Sequence, residues 1–365
     1  ETARALFFNG ERQPGTETVR TALRMAEQTG ATRVQVEALI SYGTFSDLPL
    51  DETIAQLEHA AELAQANRML DQESRARNNV SLVYGLGLGR FDRTHQQIQR
   101  ALETALETGN LAMQVFYGAN AVWYRMMCGD LAEAGDRLSV VIRLSDEIGV
   151  PGAGRRMAEG YLAGHARYLG QRQAAAEALR RIHAAASEVN DSNVVWITSL
   201  YLTELALETE EGLDAAEAGL LRTLELSFGF KVWPLSYLAR VLARRGDLKT
   251  AKERLAQAQA ASQAGGYLSD RYFLSLAEAD IARQESRFDD AASAYEKAVQ
   301  VAGQCGMRWY RAHTLMEWAE ALLAGGQAGE QARALLGEAR SEFEAMGVPI
   351  YAEQIGARLS ELNPE

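Results

Sequence analysis

The residues with the widest chemical reach in this 365-residue chain are five histidines and two cysteines, and their spacing keeps them from acting together. His59, His95, His165, His183 and His313 fall in separate segments, and no two stand four apart as a zinc-binding helix face requires. Cys128 and Cys305 make no C-x-x-C pair and are expected to be buried, reduced thiols. No G-x-x-x-x-G-K-[ST] loop exists, and Gly246-Asp-Leu-Lys249-Thr250 is only a turn. Gly85-Leu-Gly-Leu-Gly89 superficially matches a dinucleotide loop, but such a loop follows a strand and opens a helix, whereas this one closes a helical run. Acidic residues are common without any paired acid and base. The chain is therefore expected to be non-catalytic, with no metal and no cofactor.

The elements that position its side chains are legible in a repeat. Turn signatures recur about 40 residues apart. They are Gly89-Arg-Phe-Asp-Arg-Thr94, Gly129-Asp-Leu-Ala-Glu-Ala134, Gly170-Gln-Arg-Gln-Ala-Ala175, Glu211-Gly-Leu-Asp-Ala-Ala216, Gly246-Asp-Leu-Lys-Thr-Ala251 and Ser286-Arg-Phe-Asp-Asp-Ala291, with a looser one at Gly326. Between them lie Gly30, Asn67, Gly109, Gly149, Asn190, Gly229, Gly265, Gly306 and Gly347, each after an apolar run, where a left-handed residue would close a helix. Ala and Leu dominate and only 6 prolines occur, which favours helix throughout. Each unit thus reads as helix A, tight turn, helix B, looser turn. Around Gly129, helix A spans about 112–128 and helix B about 132–148.

Three columns fix the helix B face. Five residues after the turn anchor stand Thr94, Ala134, Ala175, Ala216, Ala251 and Ala291; nine after it, Ile98, Leu138, Leu179, Leu220, Leu255 and Tyr295; twelve after it, Ala101, Val141, Ile182, Thr223, Ala258 and Ala298. That spacing forms one stripe, small–large–small, and assigns it to the core.

Composition excludes further classes. The net charge is −12, from 49 acidic and 37 basic side chains, against direct nucleic-acid binding, which needs cations to neutralise phosphates. Arg carries nearly all the positive charge, since Lys occurs only at 231, 249, 252 and 297. No stretch approaches the roughly 18 apolar residues of a membrane span, and no basic-then-apolar leader is present, so the chain is read as soluble and cytoplasmic. It begins at Glu1 without an initiator Met, and Thr2–Phe8 reads as the back half of a helix, so a fragment of something longer is expected.

Gly-Asp-Leu-x-x-Ala, a large residue four later and a small one three after that, resembles the tetratricopeptide repeat in its long, 40-residue form. That form is similar to the sensor arms of MalT-type bacterial regulators and to C-terminal regions of related signal-transduction ATPases, LuxR-type activators and nucleotide cyclases. Ala332 to Gly347 with Tyr351-Ala-Glu resembles the tail that ends such regions. HEAT repeats share the period but not the Gly-Asp-Leu turns. The resemblance implies an all-α, right-handed superhelical solenoid of antiparallel helix pairs, with 8–9 repeats and 17–18 helices. One domain would cover 1–365, turning near 10, 48, 89, 129, 170, 211, 246, 286 and 326. A truncated first helix would occupy 1–9 and a capping helix 351–365.

By the same resemblance A helices line a concave face. Its candidate ligand-binding residues are Asn79, Trp123, Met126, Met127, Arg167, Tyr168, Tyr201, Trp233, Arg240, Arg244 and Arg283. Trp123, Met126, Met127, Met157 and Tyr168 would make an aromatic and thioether patch for an apolar or helical partner, or fill the seam between repeats. Arg167, Arg240, Arg244 and Arg283 would make a positive streak for a carboxylate or phosphate, or stabilise helix C-termini. Pro234 and the short step from Glu211 to Gly246 predict a local change of pitch near Trp233. An unpaired face at Leu6, Phe7 and Phe8 would offer self-association. The implied function is a sensor arm that binds a protein, a peptide or a small-molecule inducer and acts on an attached ATPase or effector domain. The alternative is a constitutive scaffold gripping a peptide or partner helix.

Overall fold

A computed structural model describes residues 1–8, 11–149, 152–226, 231–326 and 329–362. Among them there are nineteen α-helices, one π-helical turn and no strand. Nine hairpins follow in order. The first three are α1 (Thr2–Phe8) with α2 (Arg12–Thr29), α3 (Thr32–Phe45) with α4 (Leu50–Ala66), and α5 (Leu70–Leu82) with α6 (Phe91–Glu107). Next come α7 (Leu111–Met127) with α8 (Ala134–Ile148), α9 (Ala153–Tyr168) with α10 (Arg172–Glu188), and α11 (Ser192–Thr209) with α12 (Leu213–Leu226). Then follow α13 (Val232–Arg244) with α14 (Leu248–Gly265), α15 (Leu268–Gln284) with α16 (Phe288–Gln304), and α17 (Arg308–Ala324) with α18 (Gly329–Ala345). A final helix, α19 (Pro349–Glu361), brings the total to nineteen, one more than the 17–18 expected from the sequence. No helix among the described residues is long and apolar enough to cross a membrane.

The repeat turns work as the spacing predicts. Gly89, Gly129, Gly170, Gly246 and Gly326 all have positive φ, and Glu210, Gly212 and Ser286 take the left-handed conformation in the other two turns. Two of the looser turns shift by one residue: the left-handed position is Arg68 rather than Asn67, and Gly266 rather than Gly265. The turns expected near Gly10 and at Gly229 lie outside the described residues. The small–large–small stripe of helix B is buried throughout, apart from Val141 and Leu255, which are half-buried. Phe7 is covered by its own repeat and the next: it packs over Gly15 and stacks on Phe45 at 5.4 Å, so it offers no free face. The side chain of Phe8 lies outside the described residues.

The A helices are buried on more than one side. α11, for example, buries twelve of its eighteen residues, including Val194, Ile197, Leu200, Tyr201 and Leu205. A helix apolar around most of its girth belongs in a core, not on one wall of a groove. The reason is that the solenoid returns on itself after about five repeats. The third repeat's turn meets the eighth and ninth, the fourth repeat's α7 meets α17, and the fifth repeat's turn meets α19.

Glycine is required at this seam for a second reason beyond its turn. A Cβ on Gly89 would lie 2.8 Å from the Gln304 carbonyl oxygen and 2.9 Å from Cys305 Cα. On Gly129 it would meet Met346 Sδ at 2.5 Å, and on Gly170 it would collide with Ile350. Gly246 and Gly326, equivalent in their own repeats, have nothing within 4 Å. An open, ligand-ready groove along the whole inner face is therefore not what this chain builds.

Candidate functional site

What the A helices carry inward is a buried network of charge. Arg167 (1 % exposed) sits beside Glu204 and Glu208, its Nη1 2.8 Å from Glu204 Oε2. Its guanidinium also lies over the Trp309 ring, 4.3 Å from the centroid. Arg172 reaches the same Glu208 at 3.0 Å. Arg240 binds Asp280 at 2.6 Å and Glu317 at 2.9 Å, and Arg244 binds Asp280 at 2.9 Å. His313 stands between the two halves, Nε2 3.5 Å from Glu208 and stacked on Trp309 at 4.9 Å.

These partners change the reading of the cationic streak. Arg167, Arg240 and Arg244 are not free donors awaiting an anion. They are already neutralised by carboxylates on neighbouring A helices, and Arg283 stands half-buried with the same Asp280 carboxylate acting on it. Burial alone would raise the pKa of Asp280, but Arg244 and Arg240 outweigh it and hold the carboxyl well below its ordinary range. Glu208 is likewise opposed by burial and lowered by Arg167, His313 and Arg172. The pairing had a sequence signal: Arg240 and Asp280 each stand six residues before their turn anchors, so opposite charges occupy one column of adjacent repeats. Arg167 and Glu208 likewise each stand three residues before their anchors, whereas Glu204 and Glu317 had no such signal, since only the fold sets them against Arg167 and Arg240.

The apolar candidates divide. Met126, Met127 and Met157 are core residues, and Tyr168 is fully buried in the seam, 4.7 Å from Trp309 and hydrogen-bonded to Tyr310 at 3.1 Å. Asn79 lies away from them on α5, donating to Thr44 Oγ1 at 2.8 Å. Trp123, Tyr201 and Trp233, by contrast, come together from three A helices. With Trp196, Ile197, Leu200, Glu204 and Tyr310 they line a small cleft of about 20 Å³, room for roughly one water. Trp123 stacks on Tyr161 at 5.6 Å and 7°, Trp196 leans on Trp233 at 5.4 Å, and Trp233 packs on Phe273 at 4.1 Å. Sequence reasoning missed Trp196 and Tyr310, which sit early in α11 and α17, away from the offsets used for lining positions.

Behind Trp233 lies a second missed residue. The Trp233 indole N–H donates to Asp270 Oδ1 at 3.1 Å, and Asp270 is 8 % exposed. No cation pairs with it among the described residues. Burial pushes its carboxyl up to about 7, and the indole hydrogen bond pulls it only part of the way back. Because the folded pKa lies above the unfolded one, the folded state holds the proton more tightly, and stability falls as pH rises from about 4 through about 7. Asp270→Asn should remove that slope and melt higher than the parent at pH 8; equal melting curves for both proteins between pH 4 and 8 would refute it.

α13 spans 13 residues, against 17 in the A helices α15 and α17, in keeping with the short step before Gly246. Pro234 falls in the first turn of α13, where its missing N–H has no helical partner to lose.

No protein-family model matches the sequence, and no curated protein matches it either. Among solved structures the chain is similar to a Rap protein complexed with competence and sporulation factor. The two share 13 % identity over 92 % of this chain and 98 % of that one, with a TM-score of 0.51. It is also similar to a signal transduction ATPase with numerous domains and a tetratricopeptide repeat sensor from Pyrococcus horikoshii (12 % identity, 88 % of this chain, 49 % of that one, TM-score 0.48). A third is the human IFIT1 dimer with m7Gppp-AAAA (13 %, 100 % and 81 %, 0.49). The likeness is one of fold: an all-α, tetratricopeptide-like helical solenoid.

Proposed function

We propose that this chain is a non-catalytic recognition arm of a larger bacterial regulator, binding a protein or peptide partner at the aromatic cleft. The observation that carries the proposal is the convergence of Trp123, Tyr201, Trp233 and Tyr310 from four A helices on one opening. Large, rigid aromatic side chains around a small pocket are what anchors a partner residue with little loss of side-chain freedom. The Rap structure, complexed with competence and sporulation factor, supports a binding role for a solenoid of this shape.

Coupling to an attached ATPase or effector domain would run through the seam. Trp309 and Tyr310 belong to α17; Tyr310 lines the cleft, and Trp309 packs against Tyr168 across the closure. An occupant that moves Tyr310 therefore also bears on the contact that closes the superhelix, and binding would bias open against closed. The buried ion pairs favour a second reading, a scaffold locked in one closed geometry. Small-angle scattering with and without ligand separates them, since a sensor changes its radius of gyration and a scaffold does not.

Display of random peptides on phage, selected against the intact chain, tests the binding claim. Enriched peptides should lose affinity on Trp233→Ala and on Trp123→Ala, by roughly the 2 kcal/mol of a buried aromatic anchor. A selection that enriches nothing, or peptides indifferent to both substitutions, would overturn it.

A further inference from the structure

We infer that the cleft is a site for a primary ammonium group, presented by a lysine side chain of the partner; this rests on the peptide-binding reading above and names the residue that would anchor it.

Three features of the cleft converge on that group. The first is its walls. Trp123, Trp196, Trp233, Tyr201 and Tyr310 surround the space, and indole and phenol faces carry the negative quadrupole that attracts a cation. An apolar side chain would also be accepted by such walls, so they do not decide alone.

Charge decides between them. Glu204 lines the cleft and is 7 % exposed. Its Oε2 touches Arg167 Nη1 at 2.8 Å but at an angle that makes no hydrogen bond, so the buried oxygen keeps its acceptor capacity. In the network beyond, Arg167, Arg172, Arg240 and Arg244 each meet one or more of the carboxylates of Glu204, Glu208, Asp280 and Glu317, so each of these acids has a guanidinium partner. Asp270, immediately behind Trp233, stands outside that balance, a buried carboxylate with an indole for its partner. Burial raises its pKa, and only the indole hydrogen bond opposes the shift. The cleft thus offers the free acceptor of Glu204 to a cation, and the Asp270 carboxylate behind Trp233 adds to the negative charge around it.

Size then chooses among cations. About 20 Å³ accepts one water-sized group, which an ammonium is and a guanidinium or trimethylammonium is not. A lysine stem can lie along the aromatic rim while its head enters. The chain itself supplies only four lysines, at 231, 249, 252 and 297, and none of them lines the cleft. The net charge of −12 would also draw a basic partner in.

The experiment titrates the intact chain with N-acetyl-lysinamide, N-acetyl-norleucinamide, the trimethyl-lysine analogue and n-butylammonium chloride, reading tryptophan fluorescence. Saturable quenching is expected from the lysine and butylammonium probes, with the norleucine and trimethyl-lysine probes about tenfold weaker or worse. Asp270→Asn should weaken the lysine probe by a similar factor while the protein still melts cooperatively. Glu204→Gln should do likewise, and if that variant does not fold, Asp270→Asn carries the test. Equal binding of lysine and norleucine overturns the inference and leaves the peptide reading standing. No binding of either amine also overturns it, while display still judges the peptide reading separately. Amine binding without any selected peptide supports the ammonium site and removes the partner reading alone.

Discussion

Asp280→Ala is expected to cost about 3–5 kcal/mol of stability, more than any other single change at a charged residue in this chain. Asp280 is fully buried and takes Arg240 at 2.6 Å, Arg244 at 2.9 Å and the Tyr295 hydroxyl at 3.4 Å. Deleting the carboxylate leaves two guanidiniums in the core, one of them with Glu317 and the other with only the exposed Glu210. The cost comes from stranding those charges and not from losing a favourable pair, since a buried pair gains little over apolar packing. A control isolates burial. Arg358 and Glu320 make an equally well-formed bidentate pair at 2.8 and 3.0 Å on the surface, and Glu320→Ala should cost about 0.5 kcal/mol. Urea unfolding of both variants checks the contrast; comparable losses would mean that the network is wet and that its charges are screened.

Gly89→Ala should lose clearly more stability than Gly246→Ala, although both glycines turn a helix A into a helix B with positive φ (+67° and +83°). At Gly246 the new methyl enters open space, so only the left-handed strain of about 1–2 kcal/mol remains. At Gly89 the methyl meets backbone, the Gln304 carbonyl and Cys305 Cα, which cannot rotate away as a side-chain end would. The added overpacking is about 1–3 kcal/mol, and the response expected is parting of the seam. Denaturant unfolding gives the energies, and hydrogen exchange across α16 and α17 shows where they act. If the two variants lose the same stability and α17 keeps its protection, the third repeat does not rest on the eighth and ninth in solution.

Much of this architecture was legible in the residues. The 40-residue period, the positive-φ turns and the small–large–small stripe from Thr94, Ile98 and Ala101 onward follow from contacts within one hairpin. A hairpin's own sequence specifies them, because helix phase and turn conformation are local. Even the Arg240–Asp280 pair could be anticipated from a shared column one repeat apart. The site was legible only in part. Trp123, Tyr201 and Trp233 do meet in the cleft, but Met126 and Met127 went to the core and Asn79 to another part of the solenoid.

What tertiary structure alone decided is where the inner face ends. The angle between neighbouring repeats is a small rotation spread over many packing contacts, and no single residue encodes it. Accumulated over three to four repeats, that rotation brings Tyr168 against Trp309 and Glu208 against His313, more than a hundred residues apart in the chain. Side chains that local reasoning places on an open wall are thereby buried, and the arginines expected to wait for a ligand's carboxylate find the protein's own.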